Sequence, residues 1–193
     1  DVRALALTLR GTLEPVLLLE GATMRSPQES SLMAPFTDGA GPADRTNWSF
    51  SLVYYYQHGA AVALALDFSL RERSGGRTSL DDVMRAMWQR HGRPGGSREG
   101  YVDRPYGVAD VETVIASVAG DPGFARDFVG RYVRGRAVPD FDRLLALAGF
   151  ARRPLSPGRA WLGDLRFEAR PGVARLASAV APNWPAYTAG LDD

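Results

Sequence analysis

The chain has 193 residues, 45% of them hydrophobic, and a formal net charge of +1. Its length suits one ordinary core with a small appendage, and basic residues spread along the chain argue against nucleic-acid binding. A helix needs about 20 apolar residues to cross a bilayer, and no apolar run in the chain is that long. We therefore expect a soluble protein that does not bind membranes.

The first part of the chain is predicted to be helical. Val2 to Leu19 is rich in Leu and Ala, and Gly11 and Pro15 within it predict two short helices or one broken helix. Ser26-Pro27-Gln28-Glu29 is typical of a helix start: a Ser cap, Pro at the first helical position and Glu three residues after the cap. The helix that follows is expected to stop at Pro35.

The longest predicted helix runs from Trp48 to Arg73. Residues 37–46, which precede it, contain Gly, Pro and Asp and are predicted to form a loop. Between Phe50 and Leu70 the only formally charged residue is Asp67, so apolar groups occupy nearly every face. We expect this helix to be central and buried, and to end at Gly75-Gly76.

Further helices are predicted up to about residue 150. Ser79 begins an amphipathic helix that carries Val83, Met84, Met87 and Trp88 and is closed by Gly92. A loop is expected over residues 93–105. The remaining predicted helices have Asp or Gly signals at their ends, and they span Ala109 to Ala119, Pro122 to Val133 after Asp121, and Asp140 to Ala148.

The pattern changes to β after Pro154. Leu165 and Phe167 alternate with charged residues as in a half-buried strand, Arg170-Pro171-Gly172 predicts a turn, and Val173 to Val180 can return as a second strand. The predicted fold class is mainly α, with residues 1–153 as a helical domain and residues 154–193 as a linker and a small β-rich unit.

The usual signatures of a hydrolytic centre are missing from this sequence. His58 and His91 are its histidines, and neither belongs to the H-E-x-x-H spacing of helical zinc sites. No cysteine and no G-x-S-x-G turn is present, so a Cys or Ser nucleophile has no support. We therefore expect no metal ligand within this chain.

Tyr54-Tyr55-Tyr56 is the most informative local feature. Three successive helical positions spread over about 200°, so the three rings cannot share one core-facing stripe. They can be core aromatics whose hydroxyls bond to the backbone. Alternatively, one hydroxyl reaches into a cleft and donates a hydrogen bond to a developing oxyanion.

Several runs resemble the glycyl-aminopeptidase family of zinc metallopeptidases. They are Thr46 to Ala60 (TNWSFSLVYYYQHGA), Leu64 to Arg73 (LALDFSLRER) and Ser79 to Gly92 (SLDDVMRAMWQRHG). Shorter matches at residues 25–27, 33–36, 131–135 and 138–140 extend the resemblance over roughly residues 20 to 150. The resemblance implies the helical C-terminal subdomain of a thermolysin-like peptidase, with zinc ligands that would precede Asp1.

The resemblance also implies roles for two tyrosines. The wider aminopeptidase group has a Tyr three residues before a Gly-Ala pair, and Tyr56 stands at that distance from Gly59-Ala60. Tyr56 would then stabilise the tetrahedral intermediate, and Tyr55 would line the cleft for a small N-terminal residue. The intact parent would use zinc to remove N-terminal Gly or Ala from peptides, whereas this chain alone would bind no zinc and be inactive.

The C-terminal segment resembles family members that carry a PDZ domain. Trp161-Leu162-Gly163 matches the loop whose backbone amides receive a peptide C-terminal carboxylate, and residues 180–191 match a later strand-to-helix passage. An ordinary turn is the alternative. We retain two rival interpretations, a non-catalytic helical scaffold with a peptide-binding PDZ module and a freestanding helical interaction domain. The sequence does not distinguish between a location in the bacterial cytoplasm and one in the periplasm.

Overall fold

The computed structural model describes residues 1–19, 21–37, 55–93, 101–178 and 180–191. Across these ranges the chain is mainly α-helical, with one two-stranded antiparallel sheet. The contacts divide the chain into two compact units, one made of residues 1–59 together with 153–193 and the other of residues 60–152. The mainly α expectation is confirmed, while the division into domains at residue 153 stays a prediction.

The first unit begins with α1, a single helix over Val2–Leu18. Asp1 caps it by accepting a hydrogen bond from the Arg3 N–H, and Pro15 lies inside without ending it. The expected interruption near Gly11 and Pro15 is wrong, because the structure shows one continuous helix. Its C-terminal half contributes Leu13 and Val16 to the core, whereas Val2, Leu5 and Leu7 remain exposed.

Short helices follow in the same unit. α2 spans Gly21–Met24 and α3 spans Pro27–Leu32. The predicted capping box at the start of α3 is confirmed, because Ser26 Oγ accepts from the Glu29 N–H and Glu29 accepts from the Ser26 N–H. α3 ends before Pro35, as expected. A separate turn, α4, then spans Ala34–Thr37 with Pro35 near its start, where a missing N–H costs little.

The long helix α5 spans Tyr55–Ser74. Its predicted beginning at Trp48 and the neighbouring Tyr54 lie outside the described residues. One stripe is buried, with Ala61, Ala65, Leu66 and Leu70 at 6% exposure or less. The helix is not buried on every face, since Gly59 and Ala60 are exposed.

The second unit packs the later part of α5 with further helices: α6 over Leu80–Met87, α7 over Val108–Ala119, α8 over Pro122–Val129 and α9 over Phe141–Leu147. Its core includes Leu70, Val114, Ile115, Val129 and Phe141, each 2% exposed or less. Asp121 caps α8 as predicted, and Asp140, which was predicted as the first residue of the last helix, caps α9. Gly120 ends α7 in the left-handed conformation, with φ of 66°.

Two helices of this unit end in π-helical turns that the sequence pattern did not predict. We call them π1, Trp88–Gly92, and π2, Gly130–Arg134. Gly135 closes the second, and a Cβ there would lie 2.6 Å from the Gly130 carbonyl oxygen. The loop expected after π1 falls partly on residues 94–100, which lie outside the described residues.

Charged side chains form hydrogen bonds and ion pairs between these helices. Asp67 accepts from the Leu80 N–H at 2.9 Å and from Arg71 at 2.8 Å, so it joins α5 to the start of α6. Arg143 pairs with Glu72, which links α9 to α5. These pairs are solvent-exposed, so each contributes specificity of arrangement more than stability.

The C-terminal segment contains the predicted hairpin. β1, Phe167–Arg170, pairs antiparallel with β2, Val173–Leu176. A short helix, α10, follows at Pro185–Thr188. No helix in the described ranges combines the length and apolar character needed to cross a bilayer.

Candidate functional site

The two described tyrosines of the candidate site occupy the first turn of α5. Their ring centroids are 4.3 Å apart with planes tilted by 33°. Tyr55 is half-buried, whereas Tyr56 is 61% exposed. The Tyr56 ring therefore lies on the protein surface beside the Tyr55 ring. That the three tyrosine rings cannot share one core-facing stripe stays a prediction, because Tyr54 lies outside the described residues.

His58 differs from its tyrosine neighbours because it is buried, at 4% exposure. Its Nδ1 atom and the Oε1 atom of Gln57 have no hydrogen-bond partner among the described residues. Burial lowers the pKa of His58 below its usual value, because the charged imidazolium is poorly solvated there. Burial therefore favours the neutral form of this imidazole.

The described residues do not fit a zinc ion. Within the described ranges, no three His, Asp or Glu side chains group in a way that could hold a metal. A catalytic zinc site needs three protein ligands with one open position. Residues of this chain that the structure describes therefore do not supply such a site.

The Trp161-Leu162-Gly163 segment is folded against the start of α10. The Trp161 and Trp184 rings meet edge to face with centroids 5.7 Å apart. The Leu162 carbonyl accepts a hydrogen bond from the Ala186 N–H at 3.0 Å. Both Trp161 and Leu162 are about half exposed, at 50% and 54%.

Gly163 is required by two features of this turn. Its φ of 123° is strained for residues with a side chain, and a Cβ would lie 2.4 Å from the Trp184 ring. The backbone N–H groups of Leu162 and Gly163 donate no hydrogen bond to a described residue. The turn therefore requires glycine at residue 163, and it has two amide donors without a partner among the described residues.

Trp184 is the residue of this segment that sequence reasoning missed. The sequence placed it in the strand-to-helix passage, without a role in the loop. Its ring covers Gly163 and contacts Trp161. The sequence feature that indicates this contact is the presence of one tryptophan on each side of the hairpin, since aromatic side chains commonly pair in small cores.

Comparison of the chain with protein-family models, with curated proteins and with solved structures gave no match.

Proposed function

We propose that this chain is the helical part of a zinc aminopeptidase that removes N-terminal residues from peptides, with Gly or Ala preferred. The support is the resemblance of residues 20 to 150 to glycyl aminopeptidases and one structural observation. Tyr56 is 61% exposed at the start of α5, so its side chain lies on the surface of the chain, where a substrate would bind in this proposal. The zinc ligands belong, in this proposal, to a part of the parent outside residues 1–193.

Tyr56 has a defined task in this proposal. Hydrolysis of a peptide bond places negative charge on the former carbonyl oxygen, and a phenol O–H is a suitable donor to that oxygen. The Tyr55 ring contacts the Tyr56 ring, so it restricts the orientation of Tyr56. In this proposal Tyr55 also contacts the N-terminal residue of the substrate. The helix supplies rigidity, since a donor fixed before reaction needs little reorganisation.

The test uses the intact parent enzyme with an aminoacyl-anilide substrate and zinc analysis. Tyr56→Phe removes the donor but keeps the ring, so kcat should fall about 100-fold or more with zinc content unchanged. Tyr55→Phe is the matched control, because it should change KM more than kcat. Wild-type turnover in the Tyr56→Phe enzyme would exclude the proposed role.

A second candidate function rests on the C-terminal loop. The unbonded amides of Leu162 and Gly163 and the fixed backbone at Gly163 suit capture of a peptide C-terminal carboxylate. This candidate corresponds to a non-catalytic scaffold with a PDZ-like module. Titration with one peptide in its free-acid and amidated forms tests it, because carboxylate recognition requires that only the free acid binds.

A further inference from the structure

Helix α6 and the π1 turn that continues it carry large apolar side chains on two adjacent faces, about 100° apart around the helix axis. Val83 is 3% exposed and Met87 is half-buried, and α6 contacts α7. Met84 and Trp88, which lie one turn apart on another face, are 61% and 56% exposed. A helix packs against a core with one apolar face, so the second apolar face can contact another molecule.

Opposite charges flank this second face. Asp81 lies within about 60° of Met84 and Trp88 around the helix axis. At the other end the Arg93 guanidinium lies over the Trp88 ring, 5.9 Å from its centroid. We call Asp81, Met84, Trp88 and Arg93 the outer face of α6.

The two charges of the outer face have no ion-pair partner among the described residues. Other charges nearby are paired: Arg85 bonds to Asp82 at 2.8 Å, and Arg71, which Asp81 approaches, bonds to Asp67 at 2.8 Å. The outer face is therefore apolar at its centre, acidic at its N-terminal end and basic at its C-terminal end.

We infer that the outer face of α6 binds the same face of a second copy of this chain, with the two helices antiparallel. In an antiparallel pair, Asp81 of each copy meets the Arg93 end of the other, and Met84 and Trp88 of both copies meet at the centre. A two-fold axis generates both charge pairs at once, as in isologous dimers. A parallel pair would instead bring like charges together, which is unfavourable.

The size of the face determines how strong this dimer is. From Asp81 to Trp88 the helix extends about 10 Å, at about 1.5 Å per residue, and the π1 turn continues the face to Arg93. A stable interface buries about 800 Å² on each partner, more than one face of such a short helix supplies. The dimer is therefore weak, dependent on protein concentration, and weakened by salt because its charge pairs are exposed.

The test is sedimentation equilibrium of the full chain over a range of concentrations up to about 1 mM, where mass action favours association. The wild type should approach the dimer mass. Asp81→Arg and Arg93→Asp should each raise the dissociation constant at least about tenfold, because each makes both contacts repulsive. An equimolar mixture of the two variants should associate again, since their reversed charges are complementary.

Further measurements separate loss of the interface from loss of the fold. Circular dichroism of each variant should match the wild type, and Trp88→Ala should also weaken association by removing the apolar centre. A wild type that stays monomeric throughout overturns the inference and assigns the face to another partner. Failure of two folded variants to associate on mixing, or unchanged association of Trp88→Ala, also overturns it.

Discussion

His58, at 4% exposure, has a pKa lowered by burial, and this couples the stability of the chain to pH. The unfolded chain takes up a proton near pH 6.5, whereas the folded chain does so only at lower pH. Between these two values the unfolded state binds more protons, so the free energy of unfolding falls as pH falls. The slope from one such group is at most about 1.4 kcal/mol per pH unit.

Urea unfolding at several pH values between 5 and 8 checks this prediction. In His58→Gln the decrease below pH 6.5 should vanish, because the buried titrating group is gone. His91→Gln is the matched control: His91 is partly exposed, with Nδ1 3.0 Å from the Arg104 carbonyl oxygen, and its replacement should leave the decrease in place. A wild type whose unfolding free energy is flat across this range contradicts the prediction.

At the scale of one helix, the start of α3 contains two serines that are equally buried but differently bonded. Ser26 and Ser30 are each 1% exposed. Ser26 Oγ accepts from the Glu29 N–H at 3.1 Å, whereas Ser30 Oγ has no partner among the described residues. The Ser26 hydroxyl should therefore stabilise the folded chain, whereas the Ser30 hydroxyl should not.

Alanine substitutions measure this difference. Ser26→Ala removes the cap and should lower the free energy of unfolding by about 1 kcal/mol. Ser30→Ala removes a buried hydroxyl with no bond to lose, so it should be neutral or stabilising. Urea unfolding measures both free energies. Equal destabilisation by the two substitutions would show that the Ser30 hydroxyl makes a hydrogen bond as stabilising as that of Ser26.

Local signals in the sequence predicted the helix ends well. The capping box at Ser26, the cap at Asp121 and the hairpin turn before Val173 depend on residues within four positions of each other. Such interactions form wherever the chain adopts that turn, so neighbouring residues suffice to predict them.

Exposure was harder to predict than helix ends. The apolar residues of α6 were expected on one amphipathic helix, yet Met84 and Trp88 are exposed. α5 lacks charges over most of its length, yet Tyr56 lies on the surface. The burial of a helix face depends on which distant segment of the chain packs against it. A local sequence pattern contains no information about that packing. The same limit explains why the sequence did not reveal that Trp184 covers Gly163.

At the scale of the whole molecule, the N-terminal helices and the C-terminal segment belong to one unit although they are far apart in sequence. Asn183 Nδ2 donates to the Leu18 carbonyl at 2.9 Å. Carbonyls in the last turn of a helix lack partners within the helix, so this side chain satisfies one at the end of α1. Ala181 and Ala186 beside it are buried at 1% and 0% exposure.

This connection predicts how local opening is distributed over the chain. In Asn183→Ala the lost hydrogen bond should cost about 1 kcal/mol, and hydrogen exchange should accelerate both at the end of α1 and around α10. Exchange within residues 60–152 should stay unchanged, because those residues form the other compact unit. Glu168→Ala, at an exposed hairpin position, is the control and should leave α1 unaffected. Faster exchange confined to α10 would mean that the Asn183 bond does not stabilise α1, and faster exchange everywhere would mean that the two units open together.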